Sequence, residues 1–209
     1  MKLLLIRHGA TPGNLEKRYV GRTDESLTQE SLETLGKEAK KIRELAGKPA
    51  AIITSPMKRC LETAETLFPE HDYPQVPRVQ VEDLSECDFG EFENKNYKEL
   101  SGNQDYQRWI DSNGTLPFPG GESREAFKHR SLTGFQKAVT QCIRNNIKTA
   151  ALVIHGGTIM NIMEEYADRP RAFYEWHVKN GGGYLAELEP ALWQKGRREL
   201  CVREAYMEG

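Results

Sequence analysis

The sequence predicts an α/β fold, a three-layer αβα sandwich on a mostly parallel central sheet. Short continuous apolar runs such as Leu3-Leu4-Leu5-Ile6 and Ala150-Ala151-Leu152-Val153-Ile154 read as strands buried on both faces. They alternate with stretches whose apolar residues recur at helical spacing, the pattern of a sheet covered by helices with right-handed crossovers. A third observation locates the chemistry. Both runs end in histidine followed by glycine, at Arg7-His8-Gly9 and His155-Gly156-Gly157. The carboxyl end of a buried strand is where open α/β sheets place ligands. If the two strands are neighbours, two imidazoles and the Arg7 guanidinium reach one small anion.

The elements follow in order. Leu3–Ile6 is the first strand, and residues 7–28, rich in Gly, Thr, Asn and Arg, form a functional loop. Thr28 is the N-cap of a helix to about Ala46, with Leu32, Leu35, Ala39, Ile42 and Leu45 on its buried stripe and Gly47-Lys48-Pro49 ending it. Ala50–Thr54 is a strand. Ser55-Pro56 reads as the next helix start, with Ser as N-cap and Pro at the first helical position, and puts Arg59 in the first turn of a helix to about Phe68. Val76–Val81 is a short strand. The polar, irregular stretch 85–121 contains short helices around Lys95–Leu100 and Asp105–Ser112. Pro117-Phe118-Pro119-Gly120-Gly121 turns the chain into a long helix, about Glu122 to Asn146, whose core stripe is Phe127, Phe135, Ala138, Val139, Cys142 and Ile143. Ala150–Ile154, a helix over Thr158–Tyr166 and a last main strand over Gly183–Leu188 complete the chain.

Composition narrows the function classes. The 209 residues suit one domain, 1–209, with an excursion at about 85–121. Hydrophobic residues at 38% and charged residues at 29% describe a globular chain, and a formal net charge of −2 gives no reason to expect nucleic acid as a partner. No apolar run approaches the ~20 residues of a membrane span, and four apolar residues before Arg7 are too few for a secretory leader. Cys60, Cys87, Cys142 and Cys201 are scattered without CxxC spacing, as free thiols of a reducing cytoplasm are.

Any anion site must then be a local cluster. Neutral imidazole is a competent nucleophile toward phosphorus when its other nitrogen donates to a fixed carbonyl, and a cation such as Arg7 disfavours the imidazolium. Arg7 supplies a planar fork of donors for phosphate oxygens, and Asn14 an uncharged one. Taken alone, Arg-His-Gly is equally a strand-end turn with a solvated histidine. Arg59, at a helix N-terminus that itself favours anions, can add a second guanidinium. A protonated carboxyl near such a clamp can serve as general acid, and Glu86, Asp88, Glu91 and Glu93 all qualify on chemistry alone. His8 and His155 lie in no metal-ligand spacing, so no metal is expected. His71 and His129 read as surface residues; His177 is undecided.

Five segments in order carry a family resemblance: Arg7-His8-Gly9-x-Thr11-x-x-Asn14, Ser55-Pro56-x-x-Arg59-x-x-x-Thr63-Ala64, Glu86-x-Asp88-Phe89-Gly90-Glu91, Pro119-Gly120-Gly121-Glu122-Ser123 and His155-Gly156-Gly157. Together they resemble the histidine phosphatase superfamily, in its phosphoglycerate-mutase-like branch. The resemblance implies a nucleophile at His8, a proton donor at Glu86, and a phosphate pocket of Arg7, Arg59 and His155 assisted by Asn14, Gly21 and Gly156. It also implies a small cap over the carboxyl ends of the strands, no cofactor, a small phosphorylated metabolite as partner and a cytoplasmic location; a homodimer is left open. Mutases of the family resemble one another in a longer insertion with paired arginines, whereas residues 94–120 are short and hold only Arg108, and Val20 stands where mutases usually have Thr or Ser. This favours a phosphatase over a mutase, and the length together with the turn Phe118-Pro119-Gly120-Gly121-Glu122-Ser123 resembles phosphatases of the α-ribazole or broad-specificity type. The alternatives are a cofactor-dependent phosphoglycerate mutase and a non-catalytic phosphate-binding module.

Overall fold

The computed structural model describes residues 1–206; positions 207–209 of the expected domain lie outside the described residues. The chain runs through β1 (Lys2–Arg7), a one-turn helix α1 (Pro12–Leu15), α2 (Gln29–Ala46), β2 (Ala51–Thr54), α3 (Lys58–Leu67) and β3 (Arg78–Gln80). The polar excursion holds α4 (Gln104–Asp111). Then come α5 (Arg124–Arg144), β4 (Thr149–Ile154), α6 (Gly156–Tyr166), β5 (Gly183–Glu187), α7 (Pro190–Gln194) and β6 (Cys201–Tyr206).

Among the described residues, the strands form a six-stranded sheet in the order β3-β2-β4-β1-β5-β6. The first four are parallel to one another, and β5 and β6 are added antiparallel. Alternation along each strand divides the core. Leu3, Leu5, Leu152 and Ile154 pack with Phe135 and Val139 of α5 and Ile159 and Ile162 of α6. Leu4, Ile6, Ala151 and Val153 pack with Leu35 and Ile42 of α2 and Ala64 and Leu67 of α3. Both faces of the central strands are therefore dry, which is why their sequence is continuously apolar.

Register positions the site. In the parallel β1–β4 pair Arg7 stands opposite Ile154, so the next residue on each strand, His8 and His155, leave the sheet side by side. The His8 N–H donates to the Ile154 carbonyl at 3.0 Å. On the other side of β4, Thr54 stands opposite Val153, which brings Ser55 up to His155.

Several expected boundaries move. Thr28 does cap α2, its side chain accepting from the Ser31 N–H. Ser55 and Pro56 do not start α3: the N-cap is Met57, and the Ser55 hydroxyl is engaged by His155 Nε2 at 2.7 Å instead. The long helix starts two residues late, at Arg124, because Ser123 is its side-chain cap. The expected helix at Lys95–Leu100 is a set of turns, with Asn94 at φ 56° and the Asn96 side chain accepting from the Lys98 and Glu99 N–H groups. Such a side-chain turn competes with helix for the same backbone donors. The 7–28 loop contains α1, capped by Thr11 with Pro12 at its first position. Gly183–Leu188 is not the last strand, because β6 pairs outside it with only Val202 and Tyr206 buried.

Candidate active site

His8 is buried, and its Nδ1 lies 2.7 Å from the Gly9 carbonyl. A carbonyl only accepts, so Nδ1 carries the proton and Nε2 presents a lone pair. Burial first, then the Arg59 and Arg7 guanidiniums, hold the imidazole well below its ordinary pKa. Thr63 of α3 fixes the turn beneath, accepting the Gly9 N–H at 2.9 Å and donating to the Arg59 carbonyl at 2.6 Å.

Arg7 sends Nη1 to the Val178 carbonyl at 2.7 Å and to His177 Nε2 at 3.2 Å. Its Nε is shielded from solvent and has no acceptor among the described residues. A guanidinium with an uncommitted buried N–H is suited to an anion. Arg59 is fully buried; Nε donates to His155 Nδ1 at 3.3 Å, Nη1 to the Thr23 carbonyl and Nη2 to the Gly21 carbonyl, both at 2.8 Å. His155 then accepts on Nδ1 and donates from Nε2 to Ser55, so it orients Arg59. Its ring centroid is 5.1 Å from that of His8. Burial, then Arg59, keeps His155 well below its ordinary pKa as well. Cys60 packs against this imidazole at 3.6 Å, with its thiol pushed up to about 12 by burial, so it is no thiolate nucleophile.

Glu86 accepts the Cys87 and Gly157 N–H groups, each at 3.0 Å. Burial raises its pKa, opposed by those two bonds and by Arg59 and Arg7. The approach needs glycine at 157, where a Cβ would stand 2.5 Å from Glu86 Oε1. Of its rivals, Asp88 pairs with Arg22 at 3.2 Å, Glu91 is exposed, and Glu93 does something else. The Glu93 carboxylate accepts the N–H groups of Gly21, Arg22, Thr23 and Phe89 at 2.9–3.3 Å and the Thr23 hydroxyl at 2.8 Å. It thereby holds the two carbonyls that carry Arg59. Glu93→Ala is expected to lower the thermal midpoint by roughly 4–8 °C, from about 2 kcal/mol of lost buried bonds. It should also weaken vanadate binding. An unchanged vanadate affinity would separate Glu93 from Arg59.

Asn14 accepts on Oδ1 from the Thr11 N–H at 3.2 Å and from Asn180 Nδ2 at 3.1 Å. Asn180 also donates to the His8 carbonyl at 3.1 Å. Gly21 departs from its expected part as a phosphate contact. Its N–H is taken by Glu93 and its carbonyl by Arg59, and a Cβ there would meet the Cys87 carbonyl at 1.9 Å, so it is a ledge for Arg59. Gly156 opens α6 against Arg7, its would-be Cβ 3.2 Å from Arg7 Nε. His71 and His129 are exposed, and His177 is exposed at the rim of the cavity beside Arg7.

Ser55, Thr63, Glu93, Asn180 and Arg130 carry positions that sequence reasoning did not assign. Arg130 donates to the carbonyls of Asp83, Ser85 and Glu86 at 3.0–3.1 Å and is itself gripped by Glu122 at 2.7 Å. The Pro-Gly-Gly-Glu-Ser segment was the available signal: Glu122 anchors the Glu86 loop, and Ser123 caps α5. A cavity of about 290 Å³ opens beside Arg7, Glu86 and Gly156.

Two imidazoles held neutral fix the sign of a pH effect. The unfolded chain protonates them near 6.5 while the folded chain resists, so stability is lost as pH falls below that value. Glu86, raised, opposes this over its own window. With two groups against one, the thermal midpoint is expected to fall between pH 7 and 5. A midpoint flat or rising over that interval would contradict neutral imidazoles.

These strand-end histidines, two buried or half-buried arginines and a carboxyl with raised pKa belong to a phosphate-handling α/β fold. The chain belongs to the histidine phosphatase superfamily (branch 1), whose family model matches residues 3–198. It is 32% identical over 209 residues to a 2,3-bisphosphoglycerate-dependent phosphoglycerate mutase 2 of Gloeobacter violaceus, covering 98% of this chain and 84% of that one. It is 26% identical over 165 residues to a broad-specificity phosphatase of Saccharomyces cerevisiae, covering 78% and 69%. The structure of the α-ribazole phosphatase from Shigella flexneri superposes with a TM-score of 0.81 at 20% identity, covering 98% and 96%, which shows a shared fold. Among the described residues no helix is long and apolar enough to cross a membrane.

Proposed function

We propose that the chain is a phosphomonoesterase that hydrolyses a small phosphorylated metabolite through a phosphohistidine on His8. The observation that carries this reading is the 2.7 Å contact of His8 Nδ1 with the Gly9 carbonyl, which puts the ring proton on Nδ1 and leaves the Nε2 lone pair free in an imidazole that Arg7 and Arg59 help keep neutral. The phosphoryl group binds between Arg7, Arg59 and His155, with Asn14 and the Gly156 end of α6 beside it. His8 Nε2 attacks phosphorus in line, and the bond to the leaving oxygen breaks as the Glu86 carboxyl gives that oxygen its proton. The guanidiniums hold the charge that develops on the equatorial oxygens. Water then attacks phosphorus, Glu86 takes its proton, and the P–N bond breaks to return neutral His8 and inorganic phosphate. The raised pKa of Glu86 supports its protonated start.

A rapid acid-free quench with substrate labelled in the phosphoryl group is expected to trap label on His8 as an acid-labile, alkali-stable phosphoramidate. Label found elsewhere, or none under single turnover, would refute the covalent step. The Arg7 and Arg59 guanidiniums supply the charge in this reading, so turnover is expected to survive EDTA. Loss on chelation, restored by a divalent ion, would overturn that. The Gloeobacter relative favours a second reading, phosphoglycerate mutase. Transfer of phosphate between phosphoglycerates, primed by 2,3-bisphosphoglycerate and faster than hydrolysis, would establish it.

A further inference from the structure

Glu122, in the Pro119-Gly120-Gly121-Glu122-Ser123 segment, and Arg130 of α5 form an ion pair that wraps the Glu86 loop. All five N–H groups of the Arg130 guanidinium are used. Nε and one Nη2 donor grip the two Glu122 oxygens at 2.8 and 2.7 Å. The other three reach main-chain carbonyls of the loop, Asp83 at 3.1 Å and Ser85 and Glu86 at 3.0 Å. Glu122 closes the far side. Its carboxylate accepts the Asp88 N–H and its own N–H donates to the Asp88 carbonyl, both at 2.9 Å. The main chain around Glu86 is thus bracketed from residue 83 to residue 88 by one ion pair.

The placement is built into α5. Arg130, Gly134 and Lys137 share one face of the helix at i, i+4 and i+7. Gly134 lets the helix close onto the loop, since a Cβ there would stand 2.6 Å from Asp83 Cβ. Lys137 then takes the Asp83 carboxylate at 2.9 Å. The loop needs such a brace. Residues 85–89 lie in no helix or strand, and the Glu86 carbonyl has no donor other than Arg130 among the described residues. The Glu86 carboxyl is held by the Cys87 and Gly157 N–H groups, and Cys87 moves with the same loop. A misplacement of about 1 Å can cost on the order of 10²-fold in rate, and a proton donor must keep hydrogen-bond reach of the atom it serves. Neither Arg130 nor Glu122 lines the cavity beside Arg7, so any effect on the reaction runs through Glu86.

We propose that Arg130 and Glu122 are positioning residues for the chemical step: together they hold Glu86 at the leaving oxygen of the substrate. This rests on the reading of Glu86 as proton donor. Benzyl phosphate and 4-nitrophenyl phosphate bring rings of similar size, but one leaves as an alkoxide, which needs the proton, and the other as a phenolate, which does not. In Arg130→Gln and in Glu122→Gln, kcat/KM for benzyl phosphate is expected to fall about 10–100-fold, and that for 4-nitrophenyl phosphate about threefold or less. Methylphosphonate affinity, measured by calorimetry, should stay within about twofold of the parent, because Arg7 and Arg59 are untouched. Combined with Glu86→Gln, either variant should add no further difference between the esters, since no proton is left to place. Should Arg130→Gln not fold, Arg130→Lys and Glu122→Gln carry the same comparison. An equal fall on both esters, or none on either, would assign the ion pair to loop architecture alone and overturn the inference, while an ester-dependent loss in Glu86→Gln would keep the proton donor in place. Methylphosphonate affinity falling in step with turnover would overturn it too. A loss in Glu86→Gln that is equal on both esters would withdraw the proton donor and this inference with it.

Discussion

Replacing His8 by Ala is expected to lower kcat/KM by on the order of 10⁵-fold, the scale seen when a covalent nucleophile is removed from a preorganised site. The loss is large because nothing else nearby can take over. The His155 ring is adjacent, but its Nδ1 faces the Arg59 Nε–H and its Nε2–H is committed to Ser55. The Cys60 thiol is held up near 12 by burial and stays protonated at neutral pH. Direct attack by water would have to do without the covalent route, with Arg7 and Arg59 still able to bind the phosphoryl group. Vanadate affinity should therefore fall far less than turnover, and the labelled phosphoenzyme should vanish. A His8→Ala protein within tenfold of the parent, with its fold intact by circular dichroism, would remove the nucleophile from the proposal.

The parts of this site that were legible in the sequence are those where one strand, or one strand and its next residue, dictate geometry. Continuous apolar runs announced β1 and β4, and each handed its histidine to the carboxyl edge. Only their adjacency had to be supplied, and the register of Arg7 opposite Ile154 supplies it. Arg59 falls in the first turn of α3 whether the cap is Ser55 or Met57, so its place in the helix does not depend on the exact helix start. The Ser55 hydroxyl has two candidate uses that local sequence does not separate, a helix cap and a partner for His155, which reaches it from 100 residues away.

Glu93 shows a different limit. Four acidic residues within eight positions share the same chemistry, and what separates them is the number of donors the fold aims at each. Glu86 receives two backbone N–H groups at the cavity, while Glu93 receives five donors from the 21–23 loop and Phe89. Local spacing contains no record of which loop will fold onto which carboxylate; the family resemblance chose Glu86 where the residues alone did not. β6 is an edge strand and carries little sequence signal. With Arg203 and Glu204 exposed between buried Val202 and Tyr206, its apolar pattern is broken by a bulge at Arg203, where Leu185 stands opposite Glu204 and Ala186 opposite Val202.

Glu86→Gln separates the acid from its surroundings. The carboxyl accepts on both oxygens, from Cys87 and Gly157, and can still carry a proton on a remaining lone pair. Glutamine keeps the shape but has one oxygen, so one of those N–H groups faces an amide NH₂ and the proton for the leaving group is gone. For an alkyl phosphate, whose alkoxide must be protonated as it departs, kcat/KM is expected to fall roughly 10²–10⁴-fold. For 4-nitrophenyl phosphate the leaving phenolate needs no proton, and the fall should be about tenfold or less, from distortion alone. Because kcat/KM reports steps only through formation of the phosphohistidine, the later role of Glu86 toward water does not blur the comparison. The pH profile adds a second reading. In the parent the alkyl ester loses activity on the alkaline side as the raised Glu86 pKa is crossed, and in Glu86→Gln that limb should disappear while the acid limb, set by protonation of His8 well below the ordinary imidazole range, remains. An equal loss on both esters, or an alkaline limb unchanged in the variant, would move the proton donor to another group.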